Sequence, residues 1–305
     1  MRKARPATPV KTNERSRAAV EEVLLTAIGE HLARARSGSA TPAAIAPTTS
    51  GLLTIAALVA ADQINRVRAT DRQIALPEVP KAARVHAPPV VFADVDLAPA
   101  QELADDLTSW VSERVSSQVT DYDDSWSMHA ARSSATRLMS DAQELGAKTV
   151  AHYQGPDAEE LVPGAIVPEL DALDPDEWRK IWISHGDSRV RPLHRRLHGV
   201  STTPGVPYWR WPHRGQTLMR PGDPKAPIEQ FIGCRCTEFF CPDDVDPSAI
   251  VTAFAPADED LSFKLVASAA PGRDRRGLIQ FIHERVEAAA RAAHPSNPES
   301  DVDDG

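Results

Sequence analysis

Apolar residues recur at three- and four-residue spacing through Val20, Val23, Leu24, Ala27, Ile28 and Leu32. That period places them on one buried helix face, so a helix is predicted over 17–36, stopped by Ser37-Gly38-Ser39. A second helix is predicted over 52–72, apolar at its start and charged at its end. A third opens near Pro99, whose fixed φ suits a first helical turn, and lines up Leu103, Leu107, Trp110, Val111, Val115 and Val119. The fourth, over 125–150, carries Trp126, Ala130, Leu138, Ala142 and Leu145.

At residue 176 the period changes. Asp176-Glu177-Trp178 reads as a short helical start, and Ile181-Trp182-Ile183 as a brief strand. Residues 192–198 make one or two helical turns closed by Gly199, a favoured helix stop. Tyr208-Trp209-Arg210-Trp211 and Leu218-Met219 are further strands, and Pro221-Gly222-Asp223-Pro224 is a turn by composition. Residues 228–240 alternate and finish as a strand, and one more helix is predicted over 277–294. The fold class expected is α+β: a mainly helical N-terminal region followed by a small C-terminal α+β module.

Composition divides the chain further. Residues 1–16 are basic and proline-containing, and read as a disordered arm. A helical docking region follows over 17–155, interrupted by a Pro-rich connector at 77–99 that cannot sustain a helix. The stretch 156–175 is acidic and reads as a linker or surface flap. Residues 176–242 form the module, expected to be self-standing, and 243–305 a tail with one helix and an acidic end.

The chain has 305 residues and a net charge of −9, which argues against wholesale coating of nucleic acid. Locally the balance reverses. From Arg179 to Lys225 there are ten Arg/Lys against two Asp, while 156–177 holds eight acids and no base. The three cysteines cluster between Cys234 and Cys241, which suits a reducing compartment with thiols free or on a metal. The basic N-terminus lacks an apolar core, so no secretory signal is expected, and the run 52–61 is too short to span a bilayer. No membrane association is expected.

The same 178–236 block concentrates four of the six tryptophans, four of the ten histidines and two cysteines. His194 and His198 stand four residues apart on a short helix, and Cys234 and Cys236 two apart on a predicted strand. Together they would supply a closed tetrahedral zinc shell for a module with few core residues. The other reading is that His194 is a hydrogen-bonded structural histidine and the cysteines pack as small hydrophobes, which the tight C-x-C spacing favours. A disulfide between the two is disfavoured by strand geometry. Asp187, Arg189 and His194 read as acid, clamp and base, or as structure: Asp187 capping a turn and Arg189 pairing with Asp223. Structure is favoured, because no second carboxylate stands at metal-binding spacing, no serine has an activated context and no Gly-rich phosphate loop occurs. The basic residues with Trp209 and Trp211 would fit phosphates and bases, but self-contained or protein-facing electrostatics are favoured over DNA.

The order Trp182, Asp187, Arg189, His194, Gly199, then Pro221-Gly222-Asp223-Pro224, then Cys234-Arg235-Cys236 resembles the phage Mu F-like minor head proteins. In that family a W-x(4)-D-x-R-x(4)-H-x(4)-G block precedes a P-G-D-P-like turn and a terminal C-R-C. The match covers roughly the 60 residues from 178 to 238, about a fifth of the chain. His198 departs from the family, which more often has an acid or amide there, and the tryptophan-rich spacer at 208–213 is unusual. The resemblance implies a non-enzymatic minor capsid protein of a tailed phage, acting in head morphogenesis at or near the portal vertex. The partners implied are the portal, the major capsid or scaffold protein, and in some members packaged DNA. The site implied is the virion, assembled in the host cytoplasm. Two rival readings stand: a metal-dependent nuclease or toxin-like enzyme, and a DNA-binding protein packaged with the genome.

Overall fold

The computed structural model describes residues 9–71, 91–117, 124–153, 166–184 and 190–247. Among them are four long helices: α1 (Pro9–Arg36), α2 (Pro42–Asp71), α3 (Asp94–Ser116) and α4 (Asp124–Tyr153). They are followed by β1 (Trp178–Ile183), a short α5 (Pro192–Arg196), β2 (Ser201–Thr202), β3 (Trp209–Trp211), β4 (Gln216–Leu218), a one-turn α6 (Ile228–Phe231) and β5 (Thr237–Pro242). At the coarse level this is α+β.

The helices pack through the faces their periodicity marks. Val20, Val23, Leu24, Ile28 and Leu32 of α1 join Leu52 and Leu53 of α2, Leu103, Leu107 and Val111 of α3, and Leu138, Ala142 and Leu145 of α4 in one apolar cluster. Three helices begin earlier than the apolar spacing predicts. α1 opens at Pro9, so residues 9–16 extend it where a disordered arm was expected. α2 opens at Pro42, ten residues early, since proline is tolerated at a helix start and an alanine-rich run follows. α3 opens at Asp94, which puts Asp94 and Asp96 in the first turn against the helix dipole and leaves Pro99 inside the helix. In α2 the stretch Pro42–Asn65 is 24 residues with hydropathy 1.7, long and apolar enough by composition to cross a membrane. The expectation from 52–61 alone missed this. Half of that stretch is buried against the neighbouring helices.

Residues 166–174 are no free linker or flap. Val167, Leu170 and Leu173 are buried, Ile166 bridges Val91 in parallel, and the Leu170 amide donates to Asp96 Oδ2 at 3.1 Å. Acids alternate here with apolar anchors, so the charged composition hides the buried ones. The Pro-rich segment 77–89 and the helix predicted over 277–294 lie outside the described residues.

β1 is the centre of a three-stranded antiparallel sheet in the order β2-β1-β5, with Ile181 opposite Phe239 and Trp182 opposite Glu238. The residues 176–178, expected to start a helix, form a turn and enter β1. β3 and β4 make a separate hairpin. β1 is buried almost throughout, so it lacks the alternation of a half-exposed strand. Ile181 and Ile183 pack with Phe239 and Cys241 against Ala61 and Ile64 of α2 and Ala147 and Val150 of α4. Trp182 belongs to a different cluster with Val190, Leu197, Tyr208, Leu218, Cys234 and Cys236. One side of the module's sheet is thus packed on the helices.

Candidate metal centre

Trp182 is the hub of the site. It is fully buried, with the His194 ring edge-on at 5.0 Å and the Tyr208 ring edge-on at 5.2 Å. Its backbone carbonyl accepts the Gly199 amide at 2.8 Å and its amide donates to the Val200 carbonyl at 3.0 Å. Gly199 holds φ +79°, the left-handed conformation that lets the chain leave α5 and return along β1.

α5 opens at Pro192 and presents His194 inward, 1% exposed. From the other side come the two cysteines. α6 ends at Phe231, the chain turns through Gly233 (φ +62°), and residues 234–236 then lead into β5. The cysteines precede the strand on which they were expected, yet both sulfurs still meet His194. His194 Nδ1 lies 3.6 Å from Cys234 Sγ and 3.5 Å from Cys236 Sγ. All three ligating atoms fall within 4.8 Å of one another, and all three residues are buried. A tetrahedral zinc with bonds of about 2.3 Å to sulfur and about 2.0 Å to nitrogen would separate those atoms by about 3.5 Å. The His194 nitrogen is thus at coordination spacing from both sulfurs.

The electrostatics agree. The hydrogen bond from its neighbour Cys236, and after it the contact with His194, hold the Cys234 thiol well below its ordinary range against the opposing effect of burial. A thiolate is the form a metal takes. Cys241 behaves oppositely, since burial pushes its thiol up to about 12, as expected of an inert core cysteine. His194 Nε2 and Trp182 Nε1 are buried without a hydrogen-bond partner among the described residues.

His198 does not join the group. α5 ends at Arg196 and the chain turns through 197–199, so the i, i+4 face is not continued. Its ring is exposed, and Nδ1 accepts the Ser184 amide at 3.2 Å. The four-ligand shell expected from the sequence reduces to His194, Cys234 and Cys236.

The proline-glycine turn serves a different purpose. Asp223 Oδ2 accepts the Met219 amide at 2.8 Å and Oδ1 the Lys225 amide at 2.9 Å, so both oxygens brace their own turn. Asp187 and Arg189, expected to cap a turn and to pair with a carboxylate such as Asp223, lie outside the described residues. Gly222 (φ +71°) rests on α4, where an added Cβ would sit 2.9 Å from the Arg137 nitrogen. The Pro221 carbonyl accepts from Ser140 Oγ at 3.0 Å, and Pro224 follows within the same turn. Arg220 pairs with the buried Asp141, and Arg235, between the two cysteines, is half-buried.

Sequence reasoning missed what α4 contributes. Ser133, Thr136, Ser140 and Asp141 are all buried and recur at helical spacing. Ser133 accepts the Gly233 amide at 3.0 Å and Thr136 Oγ1 donates to the Cys234 carbonyl at 2.5 Å. A hydroxyl stripe on an alanine-rich helix was the available signal. Also missed was a buried polar group in which the Lys180 ammonium donates to the Met219 carbonyl at 2.5 Å, lies 4.7 Å over the Tyr208 ring, and stands beside Glu238. Trp209 is exposed whereas Trp211 packs partly on the Trp182 cluster, so the two do not form one open stacking platform. No protein-family model matches the chain, and no curated protein or solved structure is found to match it.

Proposed function

We propose that this chain is a non-enzymatic structural protein of a tailed-phage head, a minor head protein of the Mu F-like kind, acting in head morphogenesis at or near the portal vertex. One observation carries the reading. Most of the described residues on which the resemblance rests are spent on architecture: Trp182 and Gly199 on each other's backbone, the Pro221–Pro224 turn on α4, and the buried His194 with the two buried cysteines on one another. Side chains that turn over a substrate must reach it, and a reactive centre normally lines an open concave site. Among the described residues no carboxylate joins the His194 cluster as a general base.

In this reading the three-donor cluster holds a zinc that braces the module, and its fourth tetrahedral position would be filled by a ligand from outside the cluster. The spacing fits, the Cys234 thiol is held below its ordinary range, and a module that borrows part of its core from α2 and α4 gains from a metal staple. The helical region is the docking part, and its partners are the portal and the scaffold or major capsid protein. The test is co-expression of the full chain with the portal, scaffold and capsid proteins that this reading expects to be encoded beside it. Incorporation into procapsids only when the portal is present is expected. Metal-dependent DNA cleavage by the pure protein, lost on His194→Ala, would overturn the structural reading in favour of a nuclease.

A further inference from the structure

The segment bearing both cysteines is held from two sides. On one side its sulfurs meet His194 Nδ1. On the other its backbone is gripped by α4, because Gly233 donates its amide to Ser133 and Cys234 accepts at its carbonyl from Thr136. Residues 234–236 belong to no helix or strand, so no sheet ladder fixes them. Ser133 and Thr136 are 3% and 1% exposed, which makes a free amide or carbonyl there costly to leave unpaired. The two attachments meet at one residue, Cys234, whose carbonyl and sulfur serve opposite sides.

We propose that zinc binding at His194, Cys234 and Cys236 is coupled to the grip of α4 on residues 233–234, so that the metal pins the module to the helical region. The proposal rests on the zinc reading above. Binding fixes the sulfurs and with them the short backbone that Ser133 and Thr136 recognise; loss of the metal leaves thiol–imidazole contacts at 3.5 and 3.6 Å in place of coordinate bonds. Coupling of this kind is reciprocal: if the metal favours the gripped conformation, the grip favours the metal by the same factor. Ser133 and Thr136 are then positioning residues for a metal they do not ligate. Groups that orient metal ligands typically change affinity by about 10–100-fold when removed.

The experiment uses the full chain purified without an affinity tag. Zinc affinity is measured by competition with a chromophoric chelator for the wild type, for Ser133→Ala combined with Thr136→Val, and for Thr136→Ser. The double variant is expected to keep one zinc per chain at saturation, with affinity lowered at least tenfold, and Thr136→Ser to retain most of it. In the wild type, chelation is expected to abolish hydrogen-exchange protection of the Gly233 amide while amides in the middle of α1 and α3 stay protected. Unchanged affinity in the double variant, or a Gly233 amide still protected after chelation, overturns the coupling. A wild type that binds no zinc overturns the zinc reading itself, and shows this before any variant is made. Should the double variant fail to fold, the wild-type exchange measurement decides alone.

Discussion

Gly222 and Arg137 meet backbone to backbone: a Cβ on the glycine would lie 2.9 Å from the Arg137 nitrogen and 3.2 Å from its Cα, with Thr136 Cγ2 at 3.1 Å. Neither helix backbone nor turn has a flexible end that can yield. Gly222→Ala therefore combines a left-handed strain with overpacking, and should lower stability by about 2 kcal/mol or more. Gly199→Ala is the comparison, because φ is +79° there but nothing lies within 4 Å. It should cost about 1 kcal/mol, the backbone term alone. Urea melts of both variants check the pair, and equal losses would show that the Gly222 contact carries no weight.

Gly146 lies at a close approach of α2 and α4, where a Cβ would meet the Ala57 carbonyl oxygen at 2.7 Å, Ala60 Cβ at 2.7 Å and the Ala61 nitrogen at 2.8 Å. On an exposed helix, Gly→Ala stabilises by about 1 kcal/mol. Here the sign should reverse, since the helices must move apart and a helix pair packed over its length resists that. The expected loss is about 1–3 kcal/mol. Thermal unfolding followed by circular dichroism gives the sign directly, and a raised midpoint would refute the close crossing.

The three-donor cluster predicts which histidine matters. His194→Ala and Cys236→Ser should each abolish bound zinc, whereas His198→Ala should leave it in place, since His198 holds only the Ser184 amide. Chelation of the wild type should lower its stability by about 4 kcal/mol if free zinc stood at a thousand times its dissociation constant. Elemental analysis of untagged protein gives the stoichiometry. Equal zinc loss in the His194 and His198 variants would restore the four-ligand shell in place of the three-donor one.

What could be read from the chain and what could not divide along physical lines. The α1 face from Val20 to Leu32 was legible because a long amphipathic helix writes its period in every turn. Helix starts were not, since Pro9, Pro42 and Asp94 begin helices before the apolar stripe begins. His194, Cys234 and Cys236 were legible as metal-ligating types, but the exclusion of His198 depends on α5 ending after five residues, which spacing does not reveal. The C-x-C pair reads the same on a strand or on the segment before one. The hydroxyl stripe marked Ser133 and Thr136 as a polar face on α4, but a hydroxyl on a helix carries no mark of which partner it meets about a hundred residues away.

Two buried carboxyls give the chain a pH dependence of predictable sign. Burial raises Glu238 from 4.5 to about 8, with Lys180 and then Arg220 pulling it back, and burial raises Asp141 from 3.8 to about 6 against Arg220 and Arg137. A raised carboxyl pKa means that the folded chain keeps a proton the unfolded chain has released. Stability then falls as pH rises, through about 6 for Asp141 and through about 8 for Glu238, and is greatest below the ordinary carboxylate values. Lys180, lowered by burial, has the opposite sign: its contribution is complete above 10.5 and is lost as pH falls through its depressed value. A scan over pH 5–8 covers the range in which both carboxyls act, and the expected loss from the two across it is about 5 kcal/mol. Glu238→Gln should flatten the upper part of that slope, between pH 6 and 8, and Asp141→Asn the lower part. Melting temperatures across the scan test both, and a wild type that grows more stable from pH 6 to 8 would mean that Glu238 is held as the ion, paired with Lys180.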